Sequence, residues 1–276
     1  MTGFRQRWRR TGFGLSTLFG RPRGFFAPYR HAATVRTPSG YPEIERYFAA
    51  AEPEITVVLT EIARHRARLA SFAGPAPEPR WDQTWFPRLD GAAAYALVHR
   101  AKPRRVIEVG SGHSTRLLAR AIADAGTPAR HLCIDPEPRA SLKGLAIEWR
   151  ARVLGEADLA LFAALGPGDI AFFDGSHLLW PGSDVDIILN RILPALAPGV
   201  LVHLHDIFLP DPYPPGWAWR GYTEHLALAG WLAGGCRIRF ASRYALTRLS
   251  EQTQAALGPL PLAEGAWESA LWLERV

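Results

Sequence analysis

The join at residues 105–122 limits the fold more than any other feature of the chain. Val106-Ile107-Glu108-Val109 is a short apolar strand, and it runs straight into Gly110-Ser111-Gly112. Leu117, Leu118, Ala121 and Ile122 then set out a helical stripe. Such a change of period across two glycines reads as strand, tight turn and helix. Gly110 and Gly112 let the backbone turn sharply and approach a ligand closely. Ser114 is placed to cap the following helix, whose free N–H groups face the same pocket.

The pattern continues downstream. His131–Asp135, Asp169–Asp174 and Gly199–His205 read as further strands, and Val185, Ile188, Leu189, Ile192 and Leu193 line a helix between the last two. Arg237–Ala245 and Ala270–Val276 read as terminal strands that supply the far side of the sheet, including an antiparallel one. Apolar strands spaced by helices call for an α/β fold with a mostly parallel sheet covered on both faces. Right-handed crossovers gather the strand ends, and any site, along one edge. No internal repeat is visible.

Upstream, Ile55, Val58, Leu59, Ile62 and Leu69 recur on one side of a helix with Pro53 near its start. Gly74–Pro79 is a loop, and a second helix runs roughly from Gly91 to His99, stopping before Lys102-Pro103. The expected organisation is a basic arm over 1–42, a helical lid or flank over 43–104 and a cofactor-binding core over 105–276.

The basic character belongs to the arm. Eight arginines (Arg5, Arg7, Arg9, Arg10, Arg21, Arg23, Arg30 and Arg36) precede the first acid, Glu43, although the whole chain carries only +6. Such an arm suits phosphate, nucleic acid, an anionic membrane or its own domain. Arg9-Arg10 resembles a twin-arginine export signal, but Gly12, Gly14, Gly20 and Arg21 break the apolar segment that should follow. No stretch has the length and apolarity of a membrane span. Cys133 and Cys236 imply no disulfide framework, so a cytoplasmic setting is expected.

Asp135 ends the second strand, where a carboxylate can accept hydrogen bonds from both ribose hydroxyls or cap a turn. Glu137 is open between ribose and water. Three separated runs, RVIEVGSGHS, LCIDPEPR and DIAFFDGSH, together resemble the class I S-adenosylmethionine-dependent methyltransferase superfamily. Within it, the chain is similar to small-molecule methyltransferases with HDIF-type sequences after the fifth strand. The resemblance implies an open Rossmann-like sheet of seven strands, one of them antiparallel near the carboxyl-terminal edge. It also implies S-adenosyl-L-methionine as cofactor: Gly110, Ser111, Gly112 and Ser114 lie at its methionine part, Glu108 organises its polar end, and Asp135 is the ribose-binding acid. Leu154-Gly155-Glu156-Ala157 borders adenine.

A second constellation follows two other strands: Asp174-Gly175-Ser176-His177, then His203-Leu204-His205-Asp206. In a parallel sheet these gather at one edge. A divalent cation on Asp174 and Asp206 would lower the proton affinity of an acceptor alcohol, and His177 would take the proton. Metal-dependent catechol-like and antibiotic-sugar methyltransferases place an acid, a base three residues on, and two oxygen ligands at these points. Asp174, His177 and Asp206 match, whereas either His205 replaces an oxygen donor or Ile207 occupies the paired site, depending on the alignment. The candidate metal set is therefore Asp174, His205 and Asp206, better suited to zinc than to magnesium. His203, inside a strand, reads as a core or supporting histidine.

Phe208–Trp217, with Trp219, Arg220 and Tyr222, reads as a shaped cover over the substrate, supported by Leu226, Leu228 and Trp231. Trp81, Trp85, Phe86 and Asp90 would close from the other side. The expected partner is a small-molecule acceptor, methylated on oxygen, with no obligate nucleic acid. The arm leaves a homo-oligomer open. Three other functions are set against this one. A nicotinamide-dependent oxidoreductase needs a third glycine where Thr115 stands. A nucleic-acid methyltransferase needs a basic, aromatic-interleaved track that the body lacks. A noncatalytic nucleotide- or nucleic-acid-binding module would work through the arm.

Overall fold

The computed structural model describes residues 2–20, 24 and 29–276, with side chains from Trp8 onward. The side chains of Arg5 and Arg7, and all of Arg21 and Arg23, lie outside the described residues. Among the described residues seven strands form one sheet: β1 (Arg105–Val109), β2 (Arg130–Ile134), β3 (Glu148–Arg150), β4 (Ile170–Phe173), β5 (Leu201–Leu204), β6 (Cys236–Ala241) and β7 (Leu271–Arg275). Their spatial order is β3-β2-β1-β4-β5-β7-β6. β1 to β5 run parallel, and β7 is antiparallel to both its neighbours. This is the expected open, Rossmann-like α/β sheet, seven-stranded and mostly parallel.

Among the described residues ten α-helices accompany it: α1 (Thr2–Leu18), α2 (Pro42–Ala50), α3 (Glu52–Ala70), α4 (Arg88–Ala101), α5 (His113–Asp124), α6 (Leu159–Ala163), α7 (Asp184–Ile187), α8 (Leu193–Ala195), α9 (Ser242–Arg248) and α10 (Ser250–Leu257). A π-helical turn, Ile188–Ile192, joins α7 to α8. The chain leaves β1 through α5 toward β2, and leaves β4 through α7–α8 toward β5, in opposite directions along the sheet. Right-handed crossovers therefore place these helices on opposite faces. α3, α4, α5 and α10 pack together on one side, while α6 meets the π-helical turn.

The strands are buried on both faces, and their register sets a row across the sheet. Cys133, Glu108, Phe172, His203 and Trp272 stand side by side on successive strands, all fully buried. Phe172 stacks on His203 with ring centroids 3.8 Å apart, and His203 meets Trp272 edge-on at 4.8 Å. Neither ring nitrogen of His203 has a hydrogen-bond partner. Burial and the neighbouring His205 hold its pKa well below the usual histidine range, so it packs as a neutral ring.

One expectation about the strands is corrected, and one strand is new. The strand expected over Arg237–Ala245 ends at Ala241, and Ser242 opens α9. Tyr244 and Ala245 are buried there, Tyr244 stacking on Phe48 and donating its hydroxyl to Glu52 at 2.7 Å, which helical spacing permits. β3 carries no apolar run at all. It is a three-residue edge strand of Glu148, Trp149 and Arg150, paired to β2, with Glu148 also meeting Arg130 of β2 at 2.6 Å.

Ser269 and Ala270 donate backbone N–H groups to Asp90 at 3.0 Å each, and Arg88 pairs with buried Glu268 at 3.0 Å. These bonds fasten α4 to the segment entering β7. Burial raises the Asp90 carboxyl to about 6, against the pull of His205.

Candidate active site

The glycine turn is compressed against its neighbours. Gly110 has φ +81°, and a Cβ built there would lie 1.9 Å from the carbonyl oxygen of Asp174. The Asp174 N–H donates to Val109 at 2.8 Å and the Gly110 N–H to Ile134 at 3.1 Å, so this turn, β2 and the end of β4 meet at one point. α5 begins at His113, with Gly112 as its first flanking residue. Ser114 is therefore already inside the helix and does not cap it. Thr115 closes the turn instead, its hydroxyl accepting the Gly112 N–H at 2.9 Å. Fully buried, this threonine fills the space a third glycine would leave open.

Glu108 is placed differently from Ser111. Its carboxylate accepts from the Ser114 hydroxyl and the Cys133 thiol (3.3 Å) and meets His131 Nε2 at 3.2 Å. The group sits beneath the turn, away from the cavity lining. Burial, reinforced by Glu108, pushes the Cys133 thiol far up and keeps it protonated.

Asp135 ties the turn to the next loop. Its Oδ2 accepts from the Ser111 N–H at 2.6 Å and the Ser111 hydroxyl at 2.9 Å, and its Oδ1 accepts from the Glu137 N–H at 2.7 Å. Trp149 of β3 donates its indole N–H to the Asp135 carbonyl at 2.9 Å. A carboxylate has about four acceptor sites, so Oδ1 keeps capacity toward the cavity that Asp135 lines.

His177 is the centre of the second constellation. It is buried, with φ +59°, and its carbonyl accepts the N–H groups of Thr223 (2.9 Å) and Glu224 (3.2 Å). Nδ1 lies 2.9 Å from Glu224 Oε2, while Nε2 lies 3.3 Å from Asp174 Oδ1 and 3.5 Å from Asp206 Oδ2. Burial alone would lower the imidazole's pKa. The bonds to Asp174 and Glu224 and the charge of Asp206 outweigh it and hold His177 well above the usual range. Asp174 responds in kind: burial pushes it up, but His205 and His177 bring it down to about 2. Burial raises Glu224 despite its bond to His177. Glu224 was missed in the sequence because it lies 47 residues from His177, in a segment without regular spacing.

His205 Nε2 is 3.7 Å from Asp206 Oδ1, and Ser269 donates its hydroxyl to that same oxygen at 3.2 Å. Among the described residues, the three side chains whose ligand atoms all lie within 4.8 Å of one another are Glu108, His131 and Cys133. Their donors suit zinc better than magnesium, but they bond to one another with the thiol protonated. Asp174, His205 and Asp206 do not gather in this way. The cation facing both carboxylates is the His177 imidazolium, and the set as arranged does not suit a resident magnesium ion.

Both constellations open into one cavity of about 1080 Å³. Ser111, Ser114, Asp135 and Leu154 line one part, and Asp174, His177, His205 and Asp206 line another. Trp85, Phe86, Trp217, Tyr222 and Trp267 form its aromatic walls. Arg220 lies 4.1 Å over the Trp217 ring and donates to the Tyr222 hydroxyl at 2.8 Å, and Tyr222 rests 4.6 Å from the His177 ring. Trp81 and Asp90 take no part in this wall. Trp81 is buried with its indole N–H on the Leu69 carbonyl at 2.9 Å, and Asp90 serves the β7 approach.

Residues 107–207 match the family model of a methyltransferase domain. The matched residues include the glycine turn, the β2-end acid and the Asp174–His177 and His203–Asp206 runs, so the chain carries a methyltransferase domain there. No curated protein sequence matches the chain. Solved structures similar to it include a Podospora anserina methyltransferase, PaMTH1, with SAH bound (18% identity, TM-score 0.36, covering 92% of this chain and 99% of that one). A branched-chain polyamine synthase from Thermus thermophilus, in complex with N4-aminopropylspermidine and 5'-methylthioadenosine, shows 19% identity and a TM-score of 0.42, over 77% of this chain and 64% of that one. A CmcI structure with Mg and SAM shows 16% identity and a TM-score of 0.39, over 76% and 84%.

Proposed function

We propose that the enzyme moves the methyl group of S-adenosylmethionine onto an oxygen atom of a small-molecule acceptor held beside His177. The observation that carries this is the single cavity shared by Ser111 and Asp135 with His177, Asp174 and Asp206. In this reading residues 105–276 are the catalytic core, 43–104 its helical flank and 1–42 a basic arm.

The donor supplies an electrophilic sulfonium methyl. The backbone at Gly110–Gly112 and the carboxylate of Asp135 hold it, Ser114 borders it, and Glu108 acts only through the packing beneath the turn. Glu224 engages His177 Nδ1, which leaves Nε2 on the side of Asp174 and Asp206, where the acceptor is held. The neutral imidazole takes the proton of the acceptor hydroxyl at Nε2, and the imidazolium so formed stabilises the developing oxyanion, which takes the methyl group as the donor's carbon–sulfur bond breaks and its thioether leaves. Asp174 and Asp206 accept hydrogen bonds and orient the acceptor. The aromatic walls exclude water and align the two reactants. A cytoplasmic setting accords with two buried, unpaired cysteines.

The test is a panel of phenols, catechols and sugars incubated with methyl-labelled donor and read by mass spectrometry. Label on a hydroxyl oxygen is the expected result. Label on amines alone, with every hydroxyl acceptor inert, overturns the oxygen assignment.

A further inference from the structure

A helix on the surface of a soluble protein turns its apolar stripe inward. α1 does the reverse. Trp8, Leu15 and Leu18 share one stripe at helical spacing and are 65%, 50% and 70% exposed, and Phe19, just past the helix end, is 84% exposed. The half-buried residues, Phe13, Ser16 and Thr17, lie on the opposite side. α1 contacts the 3₁₀ segment Pro215–Arg220. The sequence that carries this outward apolar stripe has eight arginines and no acid before Glu43. Arg10, Arg30 and Arg36 are exposed.

Aromatic and leucine side chains bordered by arginine match the boundary between headgroups and acyl chains. Binding of such a helix gains from apolar burial and from attraction to anionic lipid. Duplex or single-stranded nucleic acid would use the arginines but leave Leu15 and Leu18 in water. We propose that α1 docks the enzyme on an anionic membrane surface, with Trp8, Leu15, Leu18 and Phe19 entering the interface. Arg9 lines the active-site cavity, as do Trp217 and Arg220 of the segment that α1 contacts. The docking face therefore lies beside the cavity. No described helix is long and apolar enough to cross a bilayer, so the contact is peripheral. The docking owes nothing to the assignment of the methyl acceptor, and either can fail without the other.

Sedimentation of the full chain with lipid vesicles tests the proposal. Vesicles containing phosphatidylglycerol should bind at least about tenfold more tightly than phosphatidylcholine alone, and raised salt should weaken the binding. The triple change Trp8→Ser, Leu15→Ser, Leu18→Ser should cost about tenfold on anionic vesicles while leaving donor binding by calorimetry as in the wild type. Equal binding to both vesicle types, or full binding by the triple variant, overturns the proposal. So does tight binding to an RNA oligonucleotide that the triple variant keeps while neither protein sediments with lipid. Loss of a dimer in the triple variant, without lipid binding by the wild type, assigns the stripe to self-association and also overturns it.

Discussion

His177 Nδ1 stands 2.9 Å from Glu224 Oε2, and both residues are buried. A buried carboxylate on one ring nitrogen fixes which way the imidazole faces and leaves the other nitrogen for chemistry. Glu224→Gln should keep the shape and remove the charge. The expected loss in kcat is about 10- to 100-fold, with donor affinity unchanged by calorimetry. With its counter-charge gone, His177 should also lose its proton at lower pH, so the alkaline rise in rate should move down the pH axis. A variant with wild-type kcat and pH profile would remove Glu224 from the mechanism.

His177→Ala should retain donor binding and slow transfer by at least about 100-fold. Steady-state rates on the identified acceptor decide this. In the wild type the rate should climb as pH rises toward the elevated pKa of His177, because the imidazole accepts a proton only after losing its own.

Stability should fall at both pH extremes for separate reasons. The folded-state pKa of His177 is raised, so its contribution is complete below the ordinary histidine range and is lost as pH rises through the elevated value. Asp174 is depressed to about 2, so its contribution is present above its ordinary value and is lost as pH falls toward 2. Thermal unfolding across pH, compared between wild type and His177→Ala, should show the alkaline loss in the wild type alone.

Asp135→Ala should weaken donor binding at least about tenfold and leave the Ser111 N–H without its partner. An unpaired donor there costs about 1–3 kcal/mol of stability, and the bonds concerned are 2.6 and 2.9 Å long. Calorimetry with S-adenosylmethionine reads the first effect and urea unfolding the second.

Gly110→Ala should be among the most damaging single changes in the chain. The added carbon falls 1.9 Å from the Asp174 carbonyl oxygen at a residue with φ +81°. About 3 kcal/mol or more is expected, with loss of donor binding as the turn moves. Urea unfolding with an unchanged midpoint would contradict it.

Chelation of divalent cations should leave the transfer rate within about twofold, since the His177 imidazolium already faces Asp174 and Asp206. Activity that vanishes with chelator and returns with zinc or magnesium would restore the metal reading.

The amino-acid sequence by itself determined the parallel core, because strands buried on both faces must be apolar runs and the helices between them must carry stripes. Gly110 and Gly112 and the acid at Asp135 were visible for the same local reason: each needs only its own few neighbours to define its geometry. Tertiary structure alone decided the rest. β3 is an edge strand whose pairing comes from β2, and Ser242 leaves its strand because Tyr244 has Phe48 to pack on. Glu224 reaches His177 only through the fold of the loop after β5. Glu108 was recognisable as a motif acid, but only the register of β1 against β2 turned it toward Cys133 and away from the cavity. Short-range pattern fixes which elements form; which side chains then meet depends on contacts between residues far apart in the chain, and these leave no periodic trace.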